Sequence, residues 1–200
     1  MARNLGLDVG VDVAEQIRVE AANLFQHRGY GSTAIRDIAE AVGISSSTMY
    51  HHYRNKQDVL FAISRQFMIE FNGALLPVLN DPARAPRDRL DDAIRLHLTI
   101  SNARHTELLT IRGNRSSLSP EQLETVVGLQ STYQRAFRDV VASLSGPDPG
   151  DADLTTMALM DLINGVCQWF DPSGSLSIDE IADRYIRMAD SLVAGSAGTR

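Results

Sequence analysis

The sequence has few of the features that mark secreted or membrane-embedded proteins. Its 200 residues contain one cysteine, Cys167, so no intramolecular disulfide can form, and its apolar surroundings predict a buried packing residue. No segment approaches the roughly 18 to 20 apolar residues that a membrane span requires, and residues 1–10 lack the basic and apolar blocks of a signal peptide. We therefore expect a cytoplasmic chain with no membrane partner.

Lysine is nearly absent, and the net charge is negative. Lys56 is the single lysine, and the formal net charge is -6 at pH 7. This charge at first argues against a nucleic-acid partner, because nucleic-acid-binding domains usually carry a basic surface. However, residues 1–60 hold six basic and seven acidic residues, so most of the acidic excess lies downstream. The overall charge does not exclude DNA binding by the amino-terminal part.

Signatures of catalysis and of metal binding are also missing. There is no Gly-rich phosphate loop, and Cys167 lies in an apolar helical pattern without a neighbouring base. His97 and His105 have no further histidine, cysteine or acid at a convincing ligand spacing. We predict no enzyme activity, no cofactor and no metal site.

The pattern that is present throughout is helical. Apolar residues recur at spacings of three and four, no segment shows sustained alternation, and Gly29 and Gly43 stand where helices should stop. Ser32 or Thr33, Ser45 and Asn55 are of the residue types that cap the starts of the second, third and fourth helices. The sequence therefore predicts an all-α fold. Nine helices are predicted, at about 11–27, 34–41, 45–52, 55–77, 87–104, 106–112, 119–144, 151–170 and 177–194, with breaks at 80–86 and 146–150.

Residues 34–53 hold the most informative pattern, two short helices joined by a glycine-containing turn. Ala39 and Ala41 allow the two helices to cross closely, and Gly43 can take the positive φ of the turn. This arrangement predicts a helix-turn-helix whose second helix enters the major groove of DNA. The predicted DNA-binding residues are Thr33, Ser45, Ser46, Ser47, Thr48, Tyr50, His51, His52 and Lys56, which offer hydrogen bonds or charge to bases and phosphates.

Part of this region resembles the DNA-binding signature of the TetR family of transcription regulators, namely residues 38–43 and 48–53 together with Lys56 and Leu60. Three departures are visible: Val42 where alanine is common, Ser47 where glycine is common, and Tyr53 where phenylalanine is usual. The resemblance implies a DNA-binding domain over residues 11–71 and a regulatory, ligand-binding and dimerisation domain over residues 72–194. It also implies a homodimer that pairs through its last two helices, binds a palindromic operator and is released by a small molecule.

The second half offers candidate residues for dimerisation and for an effector pocket. Residues 157–170 are apolar nearly all round the predicted helix, which is typical of a helix buried both in its own core and against a partner. The predicted pocket residues are Phe67, Phe71, Leu98, Asn102, Leu109, Arg112, Tyr133, Phe137 and Asn164, with His97 beside them. For any one of them, plain core packing is the simpler interpretation.

The end of the helical pattern indicates a class of effector. Residues 167–185 are similar to the final helices of TetR-type repressors that control fatty-acid and steroid breakdown. That resemblance implies an acyl-CoA or another apolar effector, with Arg104, Arg112 or Arg115 meeting the CoA phosphates. Two alternatives stay open, a TetR-like activator and a helical adaptor without operator binding.

Overall fold

The computed structural model describes residues 12–145 and 149–198. Within these ranges the chain forms nine α-helices, one 3₁₀ turn and no strand, which confirms the predicted all-α class. The helices are α1 Val13–Arg28, α2 Ile35–Val42, α3 Ser46–His52, α4 Lys56–Leu79, α5 Pro86–Ala103, α6 His105–Gly113, α7 Pro120–Leu144, α8 Pro149–Trp169 and α9 Ile178–Gly198. The prediction for residues 1–10 and the centre of the 146–150 break lie outside the described residues.

Polar side chains cap several of the helices, and the caps of α3 and α4 are the predicted ones. Asp12, Ser45, Asn55 and Ser119 each accept a hydrogen bond from a backbone N–H of the first helical turn, which satisfies a donor without an intrahelical partner. Pro86 is the first residue of α5, where its missing N–H costs nothing, although we predicted it in the preceding loop. The 3₁₀ turn Arg115–Ser117 was not predicted.

The start of α2 corrects one predicted cap. We expected Ser32 or Thr33 at this position, but the N-cap residue is Ala34, whose N–H donates to the Asp37 carboxylate at 2.7 Å. Thr33 is buried, and its hydroxyl donates to the carbonyl of Gly29 at 2.9 Å. Its side chain therefore closes the α1–α2 loop and does not cap α2.

Helix α4 runs through the centre of the fold and packs against α1, α5, α6 and α7. One face is buried along its whole length, from Val59 and Leu60 to Leu75 and Leu79. Among the described helices it is the one long and apolar enough to pass a length-and-composition test for a membrane span, which direct inspection of the sequence missed. Half of that stretch is buried inside the protein, as expected for the core helix of a helical bundle.

Candidate DNA interface and effector cavity

Helices α2 and α3 form the predicted helix-turn-helix. Gly43 ends α2 in the left-handed region at φ 76°, and the following residue, Ile44, donates its N–H to the carbonyl of Ala39 at 3.0 Å. This is the αL helix end that glycine adopts most easily. Ile38, Ala39 and Met49 are buried at the crossing of the two helices. Because the face of α3 that carries Met49 is buried, its other face is exposed to solvent.

The exposed face of α3 carries most of the predicted DNA-binding residues. Ser46, Ser47, His51 and His52 are exposed, and Tyr50 keeps 49% of its surface accessible. Ser45 and Thr48 are exposed too, but the Ser45 hydroxyl already accepts from the Thr48 N–H at 3.0 Å and lies 2.8 Å from the Thr48 hydroxyl. The side chains of α3 with the freest hydrogen-bonding groups are thus the later serines, Tyr50 and the two histidines.

Two of the predicted DNA-binding residues form hydrogen bonds within the protein. The Lys56 ammonium donates to the carbonyls of Tyr30 at 2.7 Å, Gly31 at 3.3 Å and Thr33 at 3.2 Å, and lies 4.5 Å from the centre of the Tyr30 ring. All three N–H donors of the ammonium therefore hold the α1–α2 loop against α4. The Thr33 side chain is likewise buried. The structure thus gives both side chains roles in packing the α1–α2 loop, and their contacts with DNA stay a prediction.

Two cations near the helix-turn-helix were not singled out by the sequence. Arg36 lies in the first turn of α2, and Arg54 follows Tyr53, the C-cap residue of α3. Both are exposed, and neither forms an ion pair within the described part of the chain. The resemblance to a family signature drew attention to Lys56, whereas exposure and a lack of internal partners indicate these two arginines as phosphate-binding candidates.

A cavity of about 380 Å³ lies between α4, α5, α6, α7 and α8. Its size is in the range of about 300 to 1,000 Å³ that is usual for small-molecule sites. The lining residues are Phe67, Met68, Phe71, His97, Ser101, Leu108, Ile111, Arg112, Arg115, Gln130, Tyr133, Gln134, Met160 and Asn164. A wider cleft of about 630 Å³ between α7 and α8 shares Gln134, Met160 and Asn164 with it.

Five of the nine predicted pocket residues line this cavity: Phe67, Phe71, Arg112, Tyr133 and Asn164. Leu98 and Asn102 lie instead along a separate pocket of about 10 Å³, too small for an effector. Phe137 is fully buried behind Tyr133, and Leu109 does not line the cavity. Three of the missed residues, Ser101, Leu108 and Met160, lie four positions from His97, Arg112 and Asn164 respectively. The helical repeat could therefore have found them.

The floor of the cavity is an aromatic cluster with one polar pair. Phe71 packs edge-on against His97 at 4.9 Å and against Tyr133 at 5.0 Å between ring centres. The Nδ1 atom of His97 lies 2.9 Å from the hydroxyl oxygen of Tyr133. Burial lowers the pKa of His97 to about 4 and raises the pKa of Tyr133. Both groups are therefore neutral at pH 7.

The mouth of the cavity, by contrast, carries two arginines. Arg112 donates to the carbonyl of Asn164 at 3.2 Å, and Arg115 donates to the side-chain oxygen of Gln130 at 3.0 Å. Neither guanidinium has an acidic partner among the residues that the structure describes. Arg104 is different, because Glu70 and Glu107 neutralise it and it lies 4.8 Å from the Phe67 ring centre outside the cavity lining. The mouth therefore offers positive charge to an anionic ligand.

The walls of the cavity are joined to the DNA-binding helices. Phe67, Met68 and Phe71 belong to α4, whose first turn follows α3 after three residues. Ile111 belongs to α6, where the neighbouring Thr110 hydroxyl donates to the carbonyl of Ala22 in α1 at 3.1 Å. A change in the cavity can therefore reach the helix-turn-helix through two helices.

Large apolar side chains are exposed mainly on α8 and α9. Leu154 keeps 68% of its surface accessible and Met157 keeps 65%, and Leu162, Trp169 and Met188 are also exposed. Clustered exposed apolar side chains of this size mark an interaction surface on a helical protein. Their position on the last two helices agrees with the location predicted for a dimer interface.

Comparison with known proteins identifies the family. Residues 17–63 match the family described as bacterial regulatory proteins, tetR family, and residues 83–193 match the tetracyclin repressor-like C-terminal domain. The chain belongs to the TetR family of bacterial regulatory proteins, as the sequence resemblance predicted. Its relatives are transcription regulators and not enzymes.

Three similar proteins show how far the likeness extends. The HTH-type transcriptional repressor KstR2 of Mycolicibacterium smegmatis is 25% identical over 185 residues, which is 90% of each chain. A tetR-family regulatory protein from Rhodococcus RHA1 superposes with a TM-score of 0.82 at 24% identity, covering 92% of this chain and 97% of that one. The regulator AibR, solved with isovaleryl coenzyme A and operator DNA, superposes with a TM-score of 0.78 at 24% identity, covering 88% and 97%.

Proposed function

We propose that this chain is a transcriptional repressor that binds a palindromic operator as a homodimer in the cytoplasm and is released by an acyl-CoA. One observation carries the proposal: α4 begins beside α3 and contributes Phe67, Met68 and Phe71 to the cavity wall. A single helix thus joins the candidate DNA interface to the candidate effector site. The functional boundary between residues 11–71 and 72–194 would then fall inside α4.

The exposed face of α3 supports the DNA-binding part of the proposal. In a helix-turn-helix the second helix lies in the major groove, where Ser46, Ser47, Tyr50 and His51 would meet base edges and phosphates. Arg36 and Arg54 would add phosphate contacts at either side. Serine hydroxyls hydrogen-bond to any base, so these side chains alone do not define an operator sequence.

The apolar surface of α8 and α9 supports the homodimer. Two copies of Leu154, Met157 and Trp169 would become buried when these helices pair as a four-helix bundle. Two-fold symmetry of the protein requires two-fold symmetry of its DNA site, which explains the expected palindrome.

The cavity supports an effector with an apolar body and an anionic end. Phe67, Phe71 and Met160 supply apolar walls, while Arg112 and Arg115 place positive charge at the mouth. An acyl-CoA combines these properties, because its acyl group is apolar and its phosphates are anionic. The complex of AibR with isovaleryl coenzyme A shows that a TetR-type protein of this fold holds such a ligand.

Release would follow from movement of α4 and α6. A ligand that displaces Phe67 or Phe71 shifts α4, and a shift of Ile111 moves α6 and, through Thr110, α1. In a dimer these shifts change the spacing of the two α3 helices and break their fit to successive major grooves. Effector and operator would thus weaken each other's binding reciprocally.

A mobility-shift assay with the DNA upstream of the protein's own coding region tests this proposal. We expect selective binding that weakens with rising salt, because phosphate contacts release counterions, and that is reversed by an acyl-CoA. Tyr50→Ala and His51→Ala should each weaken operator binding about tenfold. His27→Ala, which removes an exposed histidine at the end of α1, is the matched control and should bind normally.

The outcomes separate the alternatives. Selective binding unaffected by acyl-CoA esters would keep the repressor and refute the effector class. Normal binding by Tyr50→Ala and His51→Ala would refute α3 as the recognition helix. Enhanced transcription from the operator in the presence of bound protein would favour the activator alternative, and absence of any selective binding to the genome would favour the adaptor.

A further inference from the structure

Two polar side chains of α5 face the cavity with unused hydrogen-bonding groups. Ser101 is 5% exposed, and its hydroxyl has no hydrogen-bond partner within the described ranges. His97 is 3% exposed, and only its Nδ1 atom is paired, with Tyr133. Both side chains line the cavity, so these groups are open to its interior, and a few polar groups on the wall of a largely apolar pocket are what fixes the orientation of a bound ligand. Two such groups in one cavity indicate a ligand atom that pairs with both.

The two unused groups lie close together. His97 and Ser101 are four residues apart on α5, so their side chains are neighbours on one face of the helix. Both line the same cavity, on its aromatic floor beside Phe71 and Tyr133. The arginines that supply positive charge lie at the mouth, on α6 and just beyond it. The floor and the mouth therefore present different chemistry to the two parts of a ligand.

The hydrogen-bond pattern defines what the floor can bind. The 2.9 Å contact between Tyr133 and Nδ1 of His97 allows either group to donate. We assign the Tyr133 hydroxyl as the donor, and the neutral ring then carries its proton on Nε2. Nε2–H is then one donor toward the cavity, and the Ser101 hydroxyl is a second. A neutral oxygen with two lone pairs fits this pair, whereas a carboxylate would bring an uncompensated charge into an apolar site.

We propose that His97 and Ser101 form a subsite for a neutral carbonyl oxygen of the effector, with Tyr133 as the residue that positions His97. This proposal rests on the proposed function, because it assigns part of the same cavity. The carbonyl can come from the thioester of an acyl-CoA or from a ketone on its acyl group. Both sources offer the same acceptor, and matched compounds distinguish them.

Calorimetric binding to the purified dimer tests the subsite with three CoA compounds. S-octyl-CoA is a thioether without a carbonyl at the sulfur, octanoyl-CoA adds the thioester carbonyl, and 7-oxooctanoyl-CoA adds a ketone. We expect one added carbonyl to improve affinity about tenfold, the effect of one well-formed neutral hydrogen bond. An advantage of octanoyl-CoA over S-octyl-CoA identifies the thioester, and an advantage of the keto compound identifies the ketone.

Three variants show whether the subsite causes this preference. Ser101→Ala should abolish it and leave binding of S-octyl-CoA unchanged. Tyr133→Phe should reduce the preference in the same way, because His97 loses the partner that fixes its proton. Thr99→Ala, which removes an exposed hydroxyl on α5 that is bonded to the carbonyl of Arg95, is the control and should keep the preference.

A stability measurement separates ligand recognition from a structural role. Ser101→Ala should leave the melting temperature of the unliganded protein unchanged or raise it, because the hydroxyl has no partner to lose and alanine favours the helix. A clear fall in melting temperature would contradict the unpaired state of Ser101 and overturn the proposal.

The remaining outcomes also give a decision. Equal affinity for all three CoA compounds, or a preference that Ser101→Ala retains, would overturn the subsite while the acyl-CoA effector class stands. If no CoA compound binds, the effector class fails, and 2-nonanone, a ketone without CoA, decides the subsite. Binding of 2-nonanone that Ser101→Ala weakens about tenfold would support the subsite, and no binding would overturn it.

Discussion

Single residues at motif positions take their roles from their neighbours. Lys56 matches the family signature by type and position, yet its ammonium lies among three loop carbonyls and against the Tyr30 ring. Arg54, two positions earlier, is exposed and outside the signature residues. Residue identity therefore indicated that cations belong near α3, and packing determined which of them face solvent.

Replacing Lys56 by methionine tests its structural role. We expect Lys56→Met to lower the free energy of unfolding by about 1 to 3 kcal/mol, because carbonyls of the α1–α2 loop lose charged donors. Chemical denaturation at fixed protein concentration measures this change. Arg54→Met is the control and should leave stability nearly unchanged while weakening operator binding. An unchanged stability for Lys56→Met, together with a loss of operator binding, would show instead that Lys56 binds phosphate.

The buried imidazole of His97 predicts a dependence of stability on pH. Its pKa is about 4 in the folded protein and about 6.5 when unfolded, so the unfolded chain takes up the proton first as pH falls. Neutral His97 therefore makes its full contribution to stability above pH 6.5. As the pH falls from 6.5 to 4, the free energy of unfolding decreases by up to about 3 kcal/mol. Unfolding curves of wild type and His97→Gln at pH 7.5, 6 and 5 measure the difference, with His27→Gln as control. An equal loss in wild type and His97→Gln would contradict it.

At the scale of secondary-structure elements, side-chain contacts between helices hold the cavity walls together. Arg104 at the α5–α6 junction pairs with Glu70 of α4 and, through its Nε atom at 3.0 Å, with Glu107 of α6. Its guanidinium also lies over Phe67, which lines the cavity. Near the other end of α4, Gln57 donates to the carbonyl of Ser117 at 2.6 Å. These contacts join α4 to α6 and to the 3₁₀ turn that follows it.

Removal of the Arg104 ion pairs should weaken the coupling between effector binding and operator binding. In Arg104→Met the aliphatic stem can still cover Phe67, but α4 and α6 lose their shared ion pair. We expect Arg104→Met to bind the operator normally in the absence of effector. The factor by which effector lowers operator affinity should become smaller by about fivefold or more. Titrations of operator binding with and without acyl-CoA measure this factor. Arg65→Met, at an exposed position of α4, is the control and should preserve this factor. An unchanged factor in Arg104→Met would refute the coupling role of Arg104.

At the scale of the whole molecule, the exposed apolar side chains of α8 and α9 form the interface of the proposed homodimer. A charge placed there would be buried in the dimer without compensation, which is costly. We expect Leu154→Glu and Met157→Glu to convert the dimer to monomers in sedimentation experiments, with the helical content of the monomer retained. Val127→Glu, at an exposed apolar position of α7, should remain dimeric. Unchanged dimers in both α8 variants would refute this interface.

The sequence by itself determined the helical class, the helix-turn-helix and the family. These features depend on local rules, namely apolar residues at helical spacing, capping side chains and Gly43 at a turn that needs positive φ. Local rules also predicted most helix boundaries, because each cap acts within one turn of its own helix. The cap of α2 was missed because burial of Thr33 depends on the packing of the α1–α2 loop.

Only the tertiary structure decided which side chains meet at the sites. The cavity draws residues from five helices, and no local pattern brings His97, Arg112 and Asn164 together. Leu98 and Phe137 have the apolar character of pocket residues, but their orientations on α5 and α7 bury them in the core. Ser101 gives a second example: its sequence neighbours reveal nothing unusual, and only the packed structure places it on the cavity wall, where the proposed subsite uses its hydroxyl. Burial and pairing arise when helices distant in sequence pack together, which is why they could not be predicted from the sequence.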